Sequence, residues 1–259
     1  MGRGRYPARL QVAPPTPALA ARYLLAWPAH ELYHSPERFP PISSPGLFGD
    51  ERPLALDIGC ATGELVCALA RLHPGVNFVG LDIVAKPLWR AVERAAEQGL
   101  ANVRFVQADA RLAYGRIPDS ALHAAYLHFP APLLSNRQRN QLLVAPAILA
   151  TMERCLQPGG ALSVLTDQAP LYDRLLELLP AAPGLRLAAP EVWSVELGEL
   201  IKSHYHRRWE ARGRAIWRAE VVRGTGRQGD RETGRQGDRE TGRQGDRETP
   251  SGTHQAISG

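Results

Sequence analysis

The run Leu54-Ala55-Leu56-Asp57-Ile58-Gly59-Cys60-Ala61-Thr62-Gly63 decides how this chain folds. Its first five residues form a short apolar stretch that reads as a buried strand. Gly63 opens a helical stretch, 63–73, in which Leu65, Leu69 and Leu72 recur at helical spacing. The missing Cβ at Gly59 and at Gly63 lets the backbone turn sharply and lets a bulky ligand approach. A dinucleotide fingerprint would read Gly-x-Gly-x-x-Gly, but Ala61 stands at the middle glycine and the two glycines are four apart. Asp57, ahead of Gly59, would repel a pyrophosphate and suits a ligand carrying an ammonium or sulfonium group.

Downstream, the pattern repeats. Strands are expected over 76–81, 103–106, 121–129 and 161–165, with helices over 85–98 (closed by Gly99), 137–155 and 170–179. Pro146 is expected to kink the second of these helices, and Pro158-Gly159-Gly160 to form a turn. A helix over 197–213 and an alternating strand over 214–222 complete the series. Such alternation implies an α/β, Rossmann-like fold: a mainly parallel sheet with an antiparallel edge strand and helices on both faces. Ligands then bind at the carboxyl ends of the strands. Ahead of this lies an Arg/Pro-rich arm and linker, residues 1–46, with a short helix over 18–27 and an extended linker around Pro36, Pro40, Pro41 and Pro45. The main domain is expected over 47–223.

Residues 225–248 are three unchanged copies of Thr-Gly-Arg-Gln-Gly-Asp-Arg-Glu, which makes 224–259 a low-complexity tail. No copy holds an aliphatic or aromatic side chain, so nothing there offsets the entropy of ordering. Each copy is also neutral, so the net charge of +5 belongs to the rest of the chain. Cys60, Cys67 and Cys155 form no Cys-x-x-Cys pair, which fits a reducing cytoplasm and no structural metal. No stretch has the length of a membrane span.

Three acids fall in phase with the glycines. Asp82 ends the second strand, where a carboxylate can accept both hydroxyls of a ribose. Asp109, followed by Ala110, ends the third and is placed to meet an adenine amino group. Together with Asp57 they point to S-adenosyl-L-methionine. The competing reading makes each acid a helix N-cap or a solvated loop residue.

The chain resembles the bacterial tRNA (guanine-N7-)-methyltransferases, a family of class I S-adenosylmethionine-dependent enzymes. The resemblance runs through Leu54-Ala55-Leu56-Asp57-Ile58-Gly59, Phe78-Val79-Gly80-Leu81-Asp82-Ile83, Asn102-Val103-Arg104-Phe105 with Ala108-Asp109-Ala110, and Thr166-Asp167. Ser203-His204-Tyr205-His206 is similar to the family's late Thr-Lys-(Phe/Tyr)-Glu motif. It implies cofactor binding by Asp57, Gly59, Gly63, Asp82, Asp109 and Ala110. It also implies substrate binding by Arg137, Thr166, Asp167, Ser203, His204, Tyr205 and His206. The implied activity forms N7-methylguanine in the tRNA variable loop, in the cytoplasm, by a monomer or weak homodimer without metal or membrane. One motif departs. The family has Phe-Pro-Asp-Pro-Trp where this chain has Phe129-Pro130-Ala131-Pro132-Leu133. Ala131 stands where the family has its catalytic Asp, Ser135 replaces a substrate-binding Lys, and Asp167 is the candidate to take over part of the catalytic role.

From Lys202 to Arg223 seven basic side chains face Glu210 and Glu220, interleaved with Tyr205, Trp209 and Trp217. This pattern suits phosphate neutralisation and base stacking on tRNA; the alternative is a helix whose tryptophans pack on the core beneath solvated arginines. Two other functions stay open: a methyltransferase of the same ancestry with a changed substrate, and a catalytically silent RNA-binding scaffold.

Overall fold

The computed structural model describes residues 10–130, 144–188 and 201–225. Within them lie eight strands: β1 (Leu24–Ala26), β2 (Leu54–Ile58), β3 (Asn77–Asp82), β4 (Val103–Gln107), β5 (Leu122–His128), β6 (Leu156–Thr166), β7 (Leu185–Leu187) and β8 (Trp217–Arg223). They form one sheet in the order β1-β4-β3-β2-β5-β6-β8-β7. Every pairing from β1 to β6 is parallel, and β8 runs antiparallel to both β6 and β7. The helices are α1 (Pro17–Tyr23), α2 (Ala29–His34), α3 (Ser44–Phe48), α4 (Glu64–Leu72), α5 (Ala85–Glu97), α6 (Ala110–Ala113), α7 (Pro146–Cys155), α8 (Ala169–Leu178) and α9 (His204–Glu210).

Strand β2 is buried at all its positions, as a parallel strand covered on both faces must be. Its pleat sends Leu54, Leu56 and Ile58 into one core with Ile148, Met152 and Leu171 of α7 and α8. Ala55 faces the other core, with Leu65 and Leu69 of α4 and Leu88 and Val92 of α5. The expected α/β fold and antiparallel strand are therefore present, and Gly99 (φ +63°) follows α5 as expected.

Several local expectations are corrected. The helix expected over 18–27 ends at Tyr23, because Leu24–Ala26 pairs with Phe105 to Gln107 at the sheet edge. Pairing against β4 satisfies backbone groups that a short exposed helix would leave to water. The proline-rich stretch is not an extended linker. Pro36 and Pro45 occupy first turns, of a 3-10 turn and of α3, where proline is pre-organised for helix. Between them Ile42 is fully buried. Pro146 likewise starts α7 and does not kink it; residues 137–143 of that expected helix lie outside the described residues. Strand β6 runs through Pro158-Gly159-Gly160 as a bulge: Leu122 sits opposite Leu156, but Ala124 sits opposite Ala161. β8 is flanked by β7, so the antiparallel side of the sheet has two strands. Of the late helix expected over 197–213, residues 197–200 lie outside the described residues, and the rest is helical only over α9, with Ser203 accepting from the His206 amide as its cap.

Candidate active site

At the carboxyl end of β2 the chain reverses through Gly59 (φ +82°), Ala61 (φ +47°) and Gly63 (φ +67°). The Gly59 and Cys60 amides both donate to Leu81 O, at 2.7 and 3.1 Å, which ties this loop to β3. Asp82 completes the tie: its carboxylate accepts from the amides of Ala61 and Val84, each at 2.9 Å. The two glycines do different things. A Cβ on Gly59 would meet nothing within 4 Å, so that side of the loop is open to a ligand. A Cβ on Gly63 would lie 2.8 Å from Cβ of Ala91, so this glycine lets α5 and β4 pack closely against the loop.

Asp57 sits under the loop, 5% exposed, and among the described residues its carboxylate accepts no hydrogen bond. Burial, and next the charge of Asp82, push its carboxyl up to about 8. Burial also raises Asp82, against the pull of the amides that bond to it. Asp57 lines an open cleft. Gly59 and Thr62 also line it, as do His128 and Phe129 at the end of β5. Ser203, His204 and Tyr205 line it too.

The end of β5 is built with some strain. Phe129 has φ +50°, held by its amide donating to Leu165 O at 2.7 Å, and its ring meets that of His206 at 5.7 Å. His128 Nε2 lies 3.1 Å from Ser163 Oγ. Burial, helped by His206 and Arg218, holds its imidazole down at about 3, so it is neutral. His206 is buried beside Phe129 with Nδ1 unpartnered, and burial lowers its pKa too.

Of the other expected residues, Asp82, Asp109, Ala110, Thr166 and Asp167 are not among those that line this cleft. Asp109 caps α6 through the Arg111 amide at 3.0 Å and pairs with the Arg111 guanidinium at 2.5 Å, which holds its carboxyl low. It is thus the one of the three acids whose visible work is an N-cap. It and Ala110 lie at the end of β4, outside the lining of the cleft. Thr166 is fully buried, its Oγ1 accepting from the Gln168 amide at 3.2 Å. Asp167, with a side chain 5% exposed, pairs with Arg214 at 3.2 Å. Arg214 in turn lies over the Trp209 ring at 4.4 Å, and Arg208 and Arg212 approach the same ring at 5.5 and 5.3 Å. Ala131, Leu133, Ser135 and Arg137 lie outside the described residues.

Sequence reasoning missed Glu64. Its carboxylate accepts from the His204 amide and meets Arg207 at 3.4 Å and Arg94 at 3.6 Å. An acid in the first turn of a helix is an ordinary complement to the helix dipole, so nothing local marked it. Among the described residues no group of three or more His, Cys, Asp or Glu side chains is placed to hold a metal. No described helix is long and apolar enough to cross a membrane.

Residues 51–219 match a family described as a putative methyltransferase. The tRNA (guanine-N(7)-)-methyltransferase of Chloroflexus aurantiacus is 62% identical over 216 residues, which cover 83% of this chain and 95% of the relative. The chain belongs to the tRNA (guanine-N7-)-methyltransferase family. Enzymes of that name from Rubrobacter xylanophilus and Chloroherpeton thalassium share 45% and 41% identity, again over 83% and 86% of this chain and 96% and 98% of theirs. In this methyltransferase, then, the unpartnered carboxylate of Asp57, the open side of Gly59 and the residues from Ser203 to Tyr205 are features of one cleft.

Proposed function

We propose that this methyltransferase transfers a methyl group from S-adenosyl-L-methionine to N7 of a guanosine in the tRNA variable loop, in the cytoplasm, as a monomer or weak homodimer. The observation that carries this reading is Asp57, a buried carboxylate without a hydrogen-bond partner among the described residues, lining the same cleft as the start of the basic segment. Such a group is costly by itself, and a sulfonium or ammonium cation beside it relieves the cost. Gly59 leaves room for that ligand. Asp82 would offer acceptors to ribose hydroxyls, and Asp109, with Ala110, would meet the adenine amino group.

When bound, the sulfonium supplies an electrophilic methyl group. Guanine N7 carries a lone pair and no proton, so its attack needs no general base. What remains for the protein is to hold the two reactants in line, worth roughly 7–11 kcal/mol. Thr166, Asp167, Arg137 and the residues from Ser203 to His206 are proposed to hold the guanosine and its flanks. His128, kept neutral by burial, adds no positive charge against the incoming cation. A carboxylate at the position of Ala131 would offset the positive charge that develops on the purine, and lacking one pre-placed group of this kind slows a reaction by about 10²–10³-fold.

Purified full-length protein, S-adenosyl-L-methionine and tRNA, followed by nucleoside analysis, test this. N7-methylguanosine is expected, and Ala131→Asp should raise its single-turnover rate. A methyl group on another nucleoside would move the enzyme to a changed substrate. No methylated nucleoside from either protein, with cofactor bound, would leave the silent scaffold.

A further inference from the structure

Glu64 is the first residue of α4, directly after the loop that carries Gly59 and Gly63. Its Oε2 accepts from the amide of His204, 140 residues away at the start of α9, and lies 3.4 Å from Arg207. Its Oε1 lies 3.6 Å from Arg94 of α5, whose Nε donates to Thr62 O within the loop at 3.2 Å. One carboxylate therefore joins the loop, α5 and α9. It is 23% exposed, and both Glu64 and His204 line the cleft.

The segment it grips is braced internally. Ser203 Oγ accepts from the His206 amide at 3.3 Å, Lys202 pairs with Glu210 at 2.8 Å, and Arg207 donates to Lys202 O. A displacement at His204 thus carries the whole of 202–210 with it. The loop, by contrast, turns through three left-handed residues, and a ligand seated on Gly59 would fix its course. Fixing the loop fixes Glu64, and fixing Glu64 fixes the segment that carries the arginines.

We propose that Glu64 is a positioning residue that holds the segment 202–210 against the cofactor loop, so that cofactor and tRNA each bind more tightly once the other is bound. This rests on the function proposed above. The coupling must be reciprocal, because it is a free energy shared between two binding sites.

The test is calorimetric titration of the full-length protein with S-adenosylhomocysteine, alone and with saturating tRNA. The wild type should bind it about 5–10-fold more tightly with tRNA present, within the usual span of such couplings. Glu64→Ala should bring that ratio close to one and raise the tRNA KM more than it lowers kcat. Glu64→Gln, which keeps an acceptor for the His204 amide, should restore part of the ratio. If Glu64→Ala fails to fold, Glu64→Gln and Arg207→Gln carry the test, each with a ratio below that of the wild type. A merely structural Glu64 would lower both affinities and leave the ratio unchanged, and that result, or a ratio of one in the wild type, overturns the proposal. The ratio needs no turnover, so absence of N7-methylguanosine would count against the proposed function, while the titration alone decides the role of Glu64.

Discussion

Burial pushes the carboxyl of Asp57 up to about 8, so it is protonated at neutral pH while the cleft holds no cation. In the unfolded chain the same group titrates near 3.9. The native state therefore binds this proton more tightly, and its contribution to stability is complete below about pH 4 and is lost as pH rises through about 8. Asp57→Asn should flatten that loss, gaining on the wild type in urea midpoint between pH 5 and pH 8.5. A cation prefers the ionised carboxylate, so cofactor affinity in the wild type should rise with pH up to about 8, by at most about tenfold per unit. In Asp57→Asn it should be weaker and nearly flat, as calorimetry across that range would show. Asp82 makes a different prediction, because its carboxylate is already used by the amides of Ala61 and Val84. Asp82→Ala strands both N–H groups and should cost ~1–3 kcal/mol in denaturant unfolding as well as weakening cofactor binding. If stability is unchanged, the loop does not depend on this carboxylate.

Gly63 belongs to the packing between elements. Its φ of +67° strains any residue with a Cβ, and that Cβ would sit 2.8 Å from Ala91 Cβ. Gly63→Ala should destabilise by about 1–3 kcal/mol, from backbone strain plus overpacking, and thermal unfolding reads it. On the C-terminal side the arginines separate by role. Arg207 is held by Glu64, whereas Arg208 and Arg212 lie on the Trp209 ring and project from α9 and its end. Reversing the charge of Arg208 and Arg212 should weaken tRNA binding and reduce its salt slope by about 2, one for each phosphate no longer neutralised, without altering S-adenosylhomocysteine binding. An unchanged slope in a filter-binding series would make these two arginines a solvated face. Trp209 belongs to neither core: it is half-buried beneath the three arginines around its ring, with its indole Nε1 buried without a partner among the described residues.

For the whole molecule, residues ahead of Leu47 contribute to both cores: Tyr23 to one, Trp27, Leu32 and Ile42 to the other. They also cover the edge of β4 with β1. Trp27→Ala should cost about 3–5 kcal/mol as a buried aromatic truncation, and a chain beginning at Leu47 should aggregate through its bare edge strand. Light scattering and thermal unfolding check both. Local stretches of the chain dictate the unit from Leu54 to Leu72, the alternation that makes the sheet parallel, and the acids at the strand ends. These depend on neighbours along the chain: an apolar run, a glycine that can turn, a helical repeat. Long-range packing instead sets that Leu24–Ala26 leaves a helix for the edge of β4, that Pro36, Pro45 and Pro146 open helical turns, and that β8 lies between β6 and β7. The same holds for Glu64 and His204, which meet across 140 residues. Pairings of that span are set by strand register and by which faces two cores can close, and neither is written in any local stretch of the chain.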